Sequence, residues 1–93
     1  PCLVSVASIW EVAIKHRIGK LEVSPIVFRD QSIAAGADLL PVVDSHVIET
    51  AQLPLLHQDP FDRLLIAQAR VEGLMAVSSD KQWVGYDVSL HRL

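Results

Sequence analysis

The stretch DPFDRLLIAQARVEG, residues 59–73, has the marks of one complete helix and decides the fold. Asp59 is a residue type that caps helix N-termini, and Pro60 suits the first helical position, where no backbone N–H is needed. An apolar face follows from Leu64 onward, and Gly73 suits the left-handed conformation that ends many helices. We therefore predict a helix that begins at Pro60 and ends at Gly73.

Short apolar segments on both sides of this helix predict strands, because they are rich in β-branched residues and bounded by turn-forming ones. They cover residues 3–6, with the strand ending by Ser8, and residues 39–43, 74–78 and, as a last edge strand, 87–90. Further helices are expected between the strands. The first helix is marked by a capping box at Ser8 and Glu11 and a stop at Gly19, and the second begins at Ser24 and Pro25 and ends at about Gly36. The third has its cap at Asp44 or Ser45 and stops near Pro54. A helical turn is expected from Ser79 or Asp80 through Trp83.

Strands that alternate with helices, and that are nearly all apolar, are typical of a parallel sheet covered on both faces. The predicted class is therefore α/β. The helices over residues 8–19 and 24–36 are expected to pack as a pair. The chain has 93 residues, of which 51% are apolar, so one domain spanning residues 1–93 is expected.

Composition excludes several classes of protein. Cys2 is the only cysteine, so no internal disulfide forms, and a reducing, cytoplasmic location is expected. No apolar stretch is long enough to predict a membrane span. The net charge of −3 argues against a generally basic nucleic-acid-binding surface, so local cations would have to attract any RNA substrate. The high aliphatic content indicates either a full core or an apolar surface that a partner covers.

Three acidic residues fall where ligands bind in parallel α/β sheets, beyond the carboxyl ends of strands. Glu11 follows the first strand, Asp62 lies in the first turn of the helix that begins at Pro60, and Asp80 follows the strand over residues 74–78. Each alone has a structural explanation, as part of a capping box, as a charge on a helix dipole or as a turn cap. Together they would repel one another unless a cation lay between them, and carboxylates favour Mg²⁺ or Mn²⁺.

Four segments resemble the PIN-domain family, specifically toxin ribonucleases of the VapC type. They are SIWEVAIK at residues 8–15, GKL at 19–21, HQDPFDRLLIAQA at 57–69 and VSSD at 77–80, and they occur in the family's order over essentially the whole chain. The resemblance implies a three-layer α/β/α fold with a parallel sheet. It also implies a metal-dependent endoribonuclease, a protein antitoxin as partner, and a homodimer.

The resemblance assigns metal-binding and catalytic roles to three acids that match the family's motifs, Glu11, Asp62 and Asp80. It places Ser78 within the acidic cluster. Asp59 competes with Asp62 for the acidic role, but its position directly before Pro60 makes it the helix cap. Family members have a further acid at the end of a central first strand, for which this sequence has no counterpart. The chain is therefore expected to be an N-terminally incomplete domain. Three alternatives follow for the missing strand. The chain is a fragment of a longer protein, the two strands that flank the missing one pair directly, or another chain completes the sheet.

Basic residues near the acids are candidate phosphate ligands. Arg63 and Lys15 could hold RNA beside the metal, although an ion pair with Glu11 four residues earlier is the simpler explanation for Lys15. Trp10 is expected to serve in packing or at an interface. Three functions follow as hypotheses. The chain is a Mg²⁺- or Mn²⁺-dependent ribonuclease, a catalytically incomplete module that binds an antitoxin or a second copy, or a scaffold whose acids serve only as helix caps.

Overall fold

The computed structural model describes residues 3–54, 59–73, 75–78 and 89–92, with side chains described for residues 3–54 and 59–73. Helices and strands alternate along the chain. In order they are β1 (Leu3–Ser5), α1 (Val6–Arg17), α2 (Pro25–Ala34), β2 (Asp38–Leu40), α3 (Asp44–Glu49), a 3₁₀ turn (Thr50–Gln52), α4 (Pro60–Glu72), β3 (Met75–Ser78) and β4 (Ser89–Arg92). The α/β class predicted from the sequence is confirmed.

Both sheets in the described residues are parallel and two-stranded. Strand β1 pairs with β2 in the register Leu3 to Asp38, and the α1 and α2 pair forms the crossover between them. Strand β3 pairs with β4 in the register Met75 to Ser89. The parallel pairing is the one that the alternating pattern predicts, and the contact between α1 and α2 confirms the expected helix pair.

Helix α1 begins earlier than the sequence predicted. Ser5 is its N-cap, and its hydroxyl oxygen accepts a hydrogen bond from the Ala7 N–H at 3.0 Å. The capping box at Ser8 and Glu11 is therefore wrong, because the helix begins two residues before Ser8, which lies within its first turn. The predicted stop is confirmed. Gly19 has a φ of 82°, and its N–H donates to the His16 carbonyl at 3.1 Å.

Helices α2 and α4 begin where the sequence predicted. Ser24 caps α2, and its hydroxyl accepts from the Val27 N–H at 3.2 Å. In α4, the Asp59 carboxylate accepts from the N–H of Phe61 at 2.9 Å and of Asp62 at 3.4 Å. Gly73 ends α4 with a φ of 66°.

The region around β2 and α3 differs from the prediction by one to three residues. Strand β2 stops at Leu40 because Pro41 has no N–H to continue the ladder. Val43, and not Asp44 or Ser45, is the N-cap of α3. Strand β3 starts at Met75, and β4 extends to Arg92. The predicted turn over residues 79–83 and the start of the last strand, residues 87 and 88, lie outside the described residues.

The chain divides into two compact units, Pro1–Val42 and Val43–Leu93, and each has buried side chains of its own. In the first unit the buried apolar residues are Ala7, Val12 and Ala37, and in the second they are Leu53, Ile66, Ala67 and Ala69. Within the second unit, α3 packs on α4. The single-domain assignment concerns the chain as a whole and stays a prediction.

Several large apolar side chains are exposed. On α1, Trp10 is 59% exposed and Ile14 is 39% exposed, and Ile18, directly after the helix, is 60% exposed. For the high aliphatic content, the exposed side chains of α1 therefore favour an apolar surface over a full core as the explanation. Among the described residues, no helix has the length and apolar content that crossing a membrane requires.

Candidate metal centre

Glu11 lies in the interior of α1, where no helix end explains it. Helix α1 starts at Val6 and has no acidic residue in its first turn, so neither a capping box nor the helix dipole accounts for the Glu11 carboxylate. The side chain is 27% exposed, and its Oε2 lies 3.2 Å from Nζ of Lys15. The expected i,i+4 ion pair is confirmed, and it provides Glu11 with a cation from its own helix.

Asp62 occupies the third position of α4, one residue before Arg63. Its backbone N–H is bound by the Asp59 carboxylate, which confirms the capping role predicted for Asp59. Asp62 itself is half-buried, at the helix end that favours negative charge. Asp59, and not Asp62, is therefore the residue whose side chain caps α4.

The remaining residues of the predicted site lie in or beyond β3. Ser78 is the last residue of β3, a strand whose side chains are not described, and Asp80 lies outside the described residues. Glu11 belongs to the first compact unit and Asp62 to the second. In the described part of the chain, no group of three or more histidine, cysteine or acidic side chains is arranged to hold a metal ion. The convergence of the three acids therefore stays a prediction.

The donor set assigned to the metal fits a hard divalent cation. All three assigned side chains are carboxylates, and Mg²⁺ and Mn²⁺ prefer oxygen ligands. Four histidines are present, but none belongs to the assigned set, so the chemistry of the donors gives no reason to expect a zinc site.

Arg63 binds main-chain oxygens in the described structure. Its Nη1 donates to the Pro54 carbonyl at 2.9 Å, and its Nη2 donates to the carbonyls of Thr50 at 2.6 Å and Leu53 at 3.4 Å. The guanidinium therefore has a structural role in joining these backbone segments. The sequence could not predict this role, because every residue type has a backbone carbonyl oxygen. The substrate-binding role proposed for Arg63 is a separate prediction.

The sequence did not predict a buried polar cluster that lies between α3 and α4. His46 and Gln68 are each 2% exposed, and Gln68 Nε2 lies 3.3 Å from His46 Nδ1. Nε2 of His46 lies 3.4 Å from a carboxylate oxygen of Glu72. The one available signal was Gln68, a polar residue within the apolar segment LLIAQA at residues 64–69.

Comparison with known proteins identifies the family. A family profile described as PIN domain matches residues 1–88. Neither the curated proteins nor the solved structures gave a match. PIN domains have a three-layer α/β/α fold and are generally nucleases, often with divalent metals. The profile covers nearly the whole chain and includes β1, helices α1 to α4 and β3, so this chain belongs to the PIN domain family.

Proposed function

We propose that the chain carries the metal site of an endoribonuclease of the VapC toxin type that hydrolyses RNA phosphodiester bonds in the cytoplasm. Family membership over residues 1–88 is the observation that carries this proposal, since PIN domains are generally nucleases. The position of Asp62 supports it, because Asp59 and not Asp62 caps α4.

Glu11, Asp62 and Asp80 are the residues that would hold Mg²⁺ or Mn²⁺, directly or through water. The bound metal ion supplies an activated water molecule and neutralises charge on the phosphate. Asp62 presents its carboxylate from the first turn of α4. Lys15 sits beside Glu11 as a counter-charge and is a candidate to take a phosphate oxygen when the metal occupies the acid. Ser78 is proposed to support the acidic cluster from the end of β3.

The test is cleavage of a labelled RNA with Mg²⁺ or Mn²⁺ by the wild type and by Asp62→Asn. We expect Asp62→Asn to lower the cleavage rate by at least about 100-fold, because removing a metal ligand should cost no less than the loss of a residue that supports a ligand. Asp59→Asn is the matched control. Asparagine caps helices as well as aspartate does, so this variant should fold and cleave like the wild type. Undiminished cleavage by Asp62→Asn would sink the assignment.

A second candidate is a catalytically incomplete module that binds an antitoxin or a second copy of the chain. The observation that favours it is the exposed apolar surface of α1, formed by Trp10, Ile14 and, after the helix, Ile18. A metal titration separates the two candidates. A chain that binds no divalent ion at millimolar concentration does not act as a metal-dependent nuclease, which favours the binding module, whereas saturable binding that Asp62→Asn abolishes supports the nuclease.

A further inference from the structure

The guanidinium of Arg63 joins the first turn of α4 to the chain segment that precedes it. Its acceptors in the described residues include the carbonyl oxygens of Thr50, Leu53 and Pro54, at 2.6, 3.4 and 2.9 Å. Arg63 is the fourth residue of α4, and its own N–H donates to the Asp59 carbonyl at 3.0 Å. One side chain therefore joins the segment over residues 50–54 to the first turn of α4.

These acceptors suit an arginine better than any other side chain. The 3₁₀ turn over Thr50–Gln52 ends the helical segment that begins with α3, and carbonyls at such a helix end carry partial negative charge that attracts a cation. Two nitrogens of a planar group reach three oxygens at once. Lysine keeps the charge, but its single ammonium group cannot reproduce a rigid fork.

We propose that Arg63 is a positioning residue for the metal site, which sets the place of the neighbouring Asp62 carboxylate by fixing the first turn of α4. This proposal rests on the proposed function. A helical turn is stiff, so fixing Arg63 also fixes the backbone of Asp62. Metal ligands must be held to within about 0.5 Å of the productive geometry, so a loosened first turn weakens binding even though no ligand is lost.

This role differs from direct binding of an RNA phosphate. Nη1 and Nη2 of Arg63 already donate to carbonyls, so a phosphate would have to compete with those bonds and would separate Arg63 from the segment over residues 50–54. The two roles predict different behaviour of Arg63→Lys. A phosphate contact tolerates lysine as a point charge, whereas the bridge to three carbonyls does not.

The experiment measures Mn²⁺ affinity by titration calorimetry for the wild type, Arg63→Lys and Arg63→Gln. We expect both variants to bind Mn²⁺ about 10- to 100-fold more weakly, as is typical when residues that support metal ligands are changed. Arg70→Lys is the matched control. Arg70 lies on the same helix but pairs with the Glu49 carboxylate at 3.3 Å, so its replacement should leave Mn²⁺ affinity unchanged.

Metal-free RNA binding at several salt concentrations distinguishes the roles further. The measured quantity is the salt slope, which is the change in the logarithm of the RNA-binding constant with the logarithm of the salt concentration. If Arg63 positions Asp62, the salt slope of Arg63→Gln equals that of the wild type. A slope reduced by about 1, with normal Mn²⁺ affinity, assigns Arg63 to a phosphate and overturns the proposal. Thermal unfolding is measured in parallel. A lowered midpoint with unchanged Mn²⁺ affinity of the folded protein shows a purely structural role and also overturns it.

Failure of the proposed function gives a different result. If the wild type itself binds no Mn²⁺, the nuclease proposal is wrong, and the proposed role of Arg63 at the metal site is then wrong as well. Normal Mn²⁺ binding by Arg63→Lys, in contrast, overturns the role of Arg63 alone.

Discussion

His46 shows how one side chain replaces a missing helix cap. The N-cap of α3 is Val43, whose side chain accepts no hydrogen bond, and Nδ1 of His46 accepts from the Val43 N–H at 3.1 Å. Histidine here takes the place that glutamate or glutamine holds in a capping box. Because Nδ1 accepts this bond, the proton of the neutral ring lies on Nε2, which faces Glu72. The ring thus connects the start of α3 to α4.

Replacing His46 should destabilise the protein more than replacing an exposed histidine. His46→Ala removes the acceptor of the Val43 N–H and one hydrogen-bond partner of the Gln68 amide and opens a cavity, and we expect a loss of about 2–3 kcal/mol in the free energy of unfolding. His16→Ala is the control, because His16 is exposed and makes one bond, to the Leu21 carbonyl. Urea unfolding measures both. Equal losses for the two variants would contradict the assignment of the cluster.

At the scale of helices and strands, the sequence predicted a boundary correctly where all local signals for that helix end agreed. All signals of α4 agree on one start and one stop, and the structure confirms both. Helix α1 offered two serines three residues apart, and the strand signal of residues 3–6 favoured the later one. Ser5 nevertheless ends β1 and caps α1 together, because its extended backbone suits both tasks. The Arg63 bridge and the His46 cluster were not predictable, since each depends on residues far apart in the sequence.

The corrected start of α1 is testable by two serine substitutions. Ser5→Ala removes the hydroxyl that accepts from the Ala7 N–H, and we expect it to lower the free energy of unfolding by about 1 kcal/mol. Ser8→Ala lies within the helix and should change it by less than about 0.5 kcal/mol. A larger loss from Ser8→Ala than from Ser5→Ala would restore the capping box at Ser8.

The end of α4 depends on the backbone conformation of Gly73. Its φ is 66°, and a Cβ added there would meet no atom within 4 Å, so alanine would be strained without a steric clash. We expect Gly73→Ala to cost about 1 kcal/mol and Gly73→Asn less, because asparagine enters the left-handed region more readily. Thermal unfolding of the two variants gives the comparison, and equal midpoints for Gly73→Ala and the wild type would contradict the strain.

For the whole molecule, the sequence predicted class and family correctly, while the complete site stays a prediction. The class follows from alternating apolar strands and helices, a pattern that each chain segment carries locally. The site requires Glu11, Asp62 and Asp80 to converge, which is a prediction, and convergence of this kind is set by long-range packing that no local pattern encodes. The net charge of −3 and the Lys15 ion pair also mean that RNA attraction would be local and salt-sensitive.

Self-association is the prediction that belongs to the whole molecule. If the exposed apolar surface of α1 forms the proposed homodimer, Trp10→Ser should weaken dimerisation at least about tenfold, because buried aromatic anchors dominate interface energies. Ile48→Ser is the control, since Ile48 is 65% exposed on α3. Sedimentation equilibrium measures both, and a stronger effect of Ile48→Ser would place the interface on α3.

The parallel pairing of the strands also has a consequence for folding kinetics. The partners Leu3 and Asp38 in the first sheet are roughly 35 residues apart and the partners Met75 and Ser89 in the second roughly 14, so closing the first loop costs about 0.8 kcal/mol more entropy. Helices α1 and α2 lie inside the longer loop and shorten it when they form. We therefore expect β1 and β2 to pair late, after the α1 and α2 pair has assembled, so that substitutions in β1 speed unfolding more than they slow folding.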